Sequence, residues 1–183
     1  VRRQWWLAGS GCALLALGVG GWLGFLDRGH PFGDARACAG SDVPLRQELD
    51  VVRLPLPDDA ENVHYVTHSA AAAGDVRLAV AFRSTSQAMQ AYLRKNKIVT
   101  EGLSTLNDGR FDLGDVGADP SALGLCGNTA RIQGPAVLID KQREGLDEQE
   151  ETVDIAVQLS PDTYGSIRST TSVLLTVTQS PRP

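Results

Sequence analysis

The stretch VRLAVAFRSTSQAMQAYLRKNK, residues 76–97, changes its hydrophobic period partway along. Val76, Leu78, Val80 and Phe82 fall on one face with Arg77 and Arg83 on the other, the period of two of a strand buried on one side. Beyond Phe82 the spacing lengthens. Ser84-Thr85-Ser86-Gln87 has the form of a capping box, and Met89, Tyr92 and Leu93 then share one helical face. Arg94, Lys95 and Lys97 lie in the last turns, where the carbonyl end of a helix favours cations. This stretch predicts a strand that runs directly into an amphipathic helix.

Two later stretches repeat the strand half of that pattern. In TVDIAVQLS (152–160), Val153, Ile155, Val157 and Leu159 alternate with Asp154, Ala156 and Gln158. In STTSVLLTVTQ (169–179), Val173, Leu175 and Val177 alternate with Ser172, Thr176 and Thr178, with Leu174 out of step. Weaker strand candidates are VVRLPL (51–56), NVHYVTH (62–68) and AVLID (136–140), and Asp119-Pro120 has the form of a helix start. AAAAGD (70–75) and SPDTYGS (160–166) read as turns. Alternation on one face marks an antiparallel sheet with a solvated side. The expected fold is α+β: an N-terminal transmembrane helix, then a mostly antiparallel sheet with one main helix against its apolar face. The expected divisions are 1–26 (anchor), 27–48 (a linker rich in Gly, Pro and charge) and 49–183 (the α+β domain).

Residues 5–26 contain no charged side chain, and about 33 Å of helix from them would cross a hydrocarbon core of about 30 Å. Arg2 and Arg3 precede the run, which the positive-inside rule reads as a cytoplasmic N-terminus. Trp5, Trp6 and Trp22 sit where amphipathic rings favour the two interfaces. Val1 is what a GTG start codon translated literally would give, and on that reading the N-terminus is complete.

Export with cleavage is the alternative, because Ala35-Arg36-Ala37 has the A-x-A form of a signal-peptidase site. It lies well beyond an apolar run that is itself longer than a usual signal peptide's. Cys12 and Cys38 both lack the upstream pattern of a lipid-attachment cysteine, and the arginine pair lacks the flanks of a twin-arginine signal. Anchored or secreted, residues 27–183 are expected outside the cytoplasm. Ala8, Cys12, Ala16, Gly20 and Gly24 form a strip of small residues that would let a second membrane helix approach. Gly and Ala are also simply common in membrane helices and in GC-rich coding.

Beyond the anchor only Cys38 and Cys126 remain, and two cysteines in an oxidising compartment are expected to pair. The chain carries 17 Lys and Arg against 22 Asp and Glu, a net charge of −5 with no basic footprint for a nucleic-acid backbone. No catalytic, cofactor or metal site is expected from the motifs. His64 and His68 lie about 13 Å apart on a strand, too far to share one ion. Asp108, Asp112, Asp115 and Asp119 miss EF-hand spacing, so their Gly-rich stretch reads as a polar loop. The acidic run EGLDEQEE (144–151) reads as a solvated loop. Nucleophile and phosphate-loop motifs are absent from the sequence.

LPLPDDAENVHYV (54–66) and RLAVAFRSTSQAMQAYL (77–93), behind an arginine-led anchor, resemble uncharacterised membrane-anchored or secreted proteins of streptomycete-like actinobacteria. The resemblance covers about residues 1–98 and implies location rather than activity. The expectation is a single-pass envelope protein that binds a protein or wall component outside the membrane. The alternatives are an accessory subunit docked through its membrane helix and a small enzyme whose site forms only in the fold.

Overall fold

A computed structural model describes residues 30–70, 72, 75–98, 110–111, 120–127, 136–144, 150–160 and 166–180. Six strands form one sheet: β1 (Glu61–Thr67), β2 (Val76–Thr85), β3 (Arg110–Phe111), β4 (Ala136–Glu144), β5 (Glu150–Gln158) and β6 (Thr170–Ser180). Their order is β1-β2-β6-β5-β4-β3, and every neighbouring pair is antiparallel. Among the described residues two α-helices, α1 (Leu45–Val51) and α2 (Ser86–Lys95), accompany the sheet, with a short 3-10 helix at Pro31–Gly33.

The alternating residues meet on one face. Leu78, Val80 and Phe82 of β2 join Val153, Ile155 and Val157 of β5 and Val173, Leu175 and Val177 of β6. Met89, Tyr92 and Leu93 of α2 close over them, as do Leu45 of α1 and Val52 just after it. Met89 and Leu93 are almost wholly buried, and each contributes about 1.5–3 kcal/mol by leaving water. The cap of α2 is Thr85, one residue later than the capping-box reading, and its side chain accepts from the Ala88 amide. Asp59 fastens that corner by accepting from the Ser84 hydroxyl and from the Thr85 amide and hydroxyl.

The second face carries a smaller cluster: Val66, Ala79, Ala81, Ala136, Ala156 and Leu174 with Cys38 and Leu125. Leu174 is out of step because it serves this face while Val173 and Leu175 serve the other. Val76 belongs here too, contrary to the alternation read from sequence. The register of β2 against β6 shifts between Val76 and Leu78, and a bulge of this kind turns one residue over.

VVRLPL (51–56) is not a strand. Val51 ends α1, and Val52 and Leu54 enter the main core from the turn that follows. Within the stretch read as a linker, the chain lies along the edge of β1. Cys38 N donates to Tyr65 O at 2.9 Å, Tyr65 N donates to Arg36 O at 3.0 Å, and the Thr67 hydroxyl donates to Val43 O at 2.7 Å. The two backbone bonds occupy groups of Tyr65 that a bare edge strand would leave open. Asp34 takes a two-pronged hydrogen bond from the Arg36 guanidinium, which holds its carboxyl at about 2, and a bond from the Tyr65 hydroxyl.

Three further readings change. Pro120–Gly124 forms turns and no helix, although Leu125 N does bond back to Pro120 O at 3.1 Å. The 107–119 stretch contributes β3, two residues paired to β4, and its four aspartates lie outside the described residues. The acidic run is partly strand: β4 extends to Glu144 and β5 begins at Glu150. Glu151 is 2% exposed, because register places it opposite Arg143, whose guanidinium reaches it at 3.0 Å.

Residues 1–26, with the strip Ala8, Cys12, Ala16, Gly20 and Gly24, also lie outside the described residues. Among the described residues no helix is long and apolar enough to cross a membrane.

Candidate functional site

Polar chemistry gathers on the second face, where small side chains leave room above the sheet. Cys38 and Cys126 are joined by a disulfide with their Cα atoms 5.3 Å apart. The bridge ties the segment that edges β1 to the segment 120–127, which lies as a strap on this face through Leu125. Cys38 is fully buried and Cys126 half-buried.

His64 of β1 joins the bridge from the side. Its Nδ1 lies 4.0 Å from Cys126 Sγ, and single donor atoms of Cys38, His64 and Cys126 all fall within 4.8 Å of one another. The ring sits over Gly127, where a Cβ would come within 2.5–2.9 Å of three ring atoms. Gly127 also has φ +77°, which a side chain would strain, so glycine is needed there on two counts. The Cys126 amide donates to Cys38 Sγ at 2.8 Å.

His64 and His68 therefore do not act together, as their spacing implied. His68, exposed at the end of β1, stands at a separate cleft of about 470 Å³ between the sheet and the strap. Val66, Val76 and Ala79 supply apolar surface to this cleft, and Ala122 and Leu123 of the strap are on its other side. Asp42 and Asp75 bring it two exposed carboxylates. Asp42 accepts from the amide and hydroxyl of Ser69, across 27 residues of chain, and Asp75 accepts from the Ala72 amide in a local turn, so both carboxylates are held in place.

A second pair of carboxylates faces the same side farther along the sheet. Asp140 of β4 and Asp154 of β5 are directly opposite in register. Burial pushes Asp154 above the ordinary carboxylate range, and the charge of Asp140 and a hydrogen bond between the two add to the shift. Neither residue lines the cleft, so the pair stands apart from it on the sheet surface.

The sign of its effect on stability follows. Native Asp154 holds its proton more tightly than the unfolded chain does, so stability falls as pH rises from about 3.9 through the native value. Asp154→Asn is expected to raise stability at neutral pH by about 0.2–1 kcal/mol, with the gain vanishing near pH 3. Urea unfolding of both chains at the two pH values checks this, and an equal gain at both would show that charge is not the cause.

Two buried polar atoms have no hydrogen-bond partner among the described residues, the Tyr92 hydroxyl and Arg143 Nε. Burial pushes the Tyr92 phenol well up, with the positive charge of Arg143 opposing it. They lie with the main core and not at the cleft.

No family model, curated protein or solved structure matches this chain.

Proposed function

We propose that the chain is a membrane-tethered extracytoplasmic binding module that grips a cationic side chain of a protein partner in the cleft beside His68. The observation that carries this reading is the cleft itself, with apolar surface from Val66, Val76 and Ala79 and two aimed carboxylates, Asp42 and Asp75. A lysine or arginine fits both parts, its methylene stem on the apolar surface and its charge against the carboxylates. The tether is supported by the uncharged run 5–26 behind Arg2 and Arg3, and the compartment by the disulfide. Acidic charge makes a nucleic acid a poor partner.

Site-specific photocrosslinking of the full chain in its native membrane tests the reading. A crosslinker at exposed Ala122, on the cleft, is expected to give a discrete protein adduct, and one at exposed Arg94, on α2, is not. Combining Asp42→Asn with Asp75→Asn is expected to cut the Ala122 adduct severalfold. An adduct that survives those substitutions, or none at Ala122, overturns the cleft as the binding surface. Adducts only from Gly20 or Gly24 would favour the accessory subunit docked through its membrane helix. Loss of the protein from carbonate-washed membranes would favour the secreted form, cleaved near Ala37.

A further inference from the structure

We propose that Cys38, Cys126 and His64 form a redox-gated zinc site: bonded to each other, the sulfurs bind no ion, and reduced, they take Zn²⁺ together with the imidazole. The three side chains come from separate parts of the chain and supply two sulfurs and one ring nitrogen, the donor types that zinc accepts and that calcium and magnesium do not. Their atoms already fall within 4.8 Å of one another. In a tetrahedral zinc site, two sulfurs stand about 3.8 Å apart, so the bridged pair must part by about 1.7 Å.

Two of the three ligands keep their places without the bridge. His64 is held by the pairing of β1 with β2, and Cys38 by its own amide bond to Tyr65 O at 2.9 Å. Only Cys126 must move. It lies between Gly124 and Gly127, both at positive φ, in a strap whose neighbouring amides make local turn bonds. The Cys126 amide that points at Cys38 Sγ is the kind of donor that stabilises a thiolate. Two thiolates neutralise a divalent ion, which suits a site with one sulfur fully buried. Because Cys126 and His64 are half-buried, the fourth position of the ion can open to water.

The chemistry balances with a dithiol as reductant. It transfers two electrons and two protons to the bridge, the Cys38–Cys126 bond breaks to give two thiols, and the dithiol becomes its own disulfide. On binding, Zn²⁺ displaces the two thiol protons into solvent. In the reverse exchange a disulfide is the oxidant, taking two electrons from the two thiolates and two protons from solvent to become a dithiol. The Cys38–Cys126 bond re-forms and the ion is released.

The test uses the full chain, oxidised or reduced with a phosphine, and Co²⁺ as the optical stand-in for Zn²⁺. The reduced chain is expected to bind one Co²⁺ with sulfur-to-cobalt charge-transfer and tetrahedral d–d bands, which Zn²⁺ then abolishes. The oxidised chain is expected to show neither band. His64→Ala, which leaves both sulfurs, is expected to weaken Co²⁺ binding by at least about tenfold and to alter the d–d bands. His30→Ala is expected to match the parent chain. Far-UV circular dichroism follows folding in parallel, with the reduced chain expected to keep its strand signal or regain it on adding Zn²⁺. Three outcomes each overturn the site: no charge-transfer band after reduction, an unchanged His64→Ala spectrum and affinity, or a reduced chain still unfolded with metal.

Discussion

Replacing Cys38 and Cys126 together with alanine is expected to lower the stability of the domain by about 3–5 kcal/mol. The bridge spans a sequence separation of 88, so its loss frees a long loop in the unfolded chain. In the folded chain it is also the covalent fastening of the strap, which the burial of Leu125 and part of Leu123 helps to hold on the second face. Urea unfolding measures the loss. The slope against urea is expected to rise, since the unlinked chain exposes more surface when it unfolds. Hydrogen exchange should show the damage first in residues 120–127 and along 36–43, ahead of the β2–β6 pairing. A loss under about 1 kcal/mol would mean that the strap is held by its own packing.

What the sequence disclosed and what it hid divide along a physical line. The alternation in β2, β5 and β6 and the stripe of α2 were legible because each depends on neighbours within a few residues. Even there, one bulge at Arg77 was enough to carry Val76 to the other face, since a strand's faces exchange with every residue added. Helix α1 was obscured for a different reason. Its inward stripe runs Leu45, Glu48, Val52, and a glutamate in the apolar position breaks the pattern, while Val51, Val52 and Leu54 imitate a strand. The pairing of Cys38 with Cys126 followed from count and compartment alone. The approach of His64 to that pair left no trace in local spacing, because it depends on a strap that returns across β1 from 62 residues away. The Gly127 beside Cys126 was the nearest sequence signal, and it reads as an ordinary turn glycine until the ring above it is seen. The cleft was hidden likewise: Asp42, His68, Asp75 and Ala122 have no motif in common, and only β1, β2 and the strap bring them together.

Arg77→Met is expected to be as costly as losing the bridge, at about 3–5 kcal/mol, for reasons of charge rather than chain entropy. Glu48 is 1% exposed, and Arg77, itself 12% exposed at the side chain, is its ion-pair partner. Burying a carboxylate is tolerable when a guanidinium accompanies it, and methionine would leave that carboxylate alone in the core beside Val52. The bulge in β2 and the polar residue in the stripe of α1 are therefore two halves of one feature: the bulge turns Arg77 toward the residue that α1 buries.

Removing both charges separates this account from a plain loss of packing. Glu48→Gln with Arg77→Met keeps the bulk and discards the ions, and the double variant is expected to recover most of the single loss. Urea unfolding of the two single variants and the double variant closes the cycle. If the double variant is as unstable as Arg77→Met alone, the arginine acts through packing or its other contacts, and the coupling of α1 to β2 through the ion pair is wrong. If it recovers, the loss in Arg77→Met is the cost of leaving the Glu48 carboxylate buried without its partner. Either way the Asp42 carboxylate, three residues ahead of α1 and fastened to Ser69, is held at the cleft from both sides.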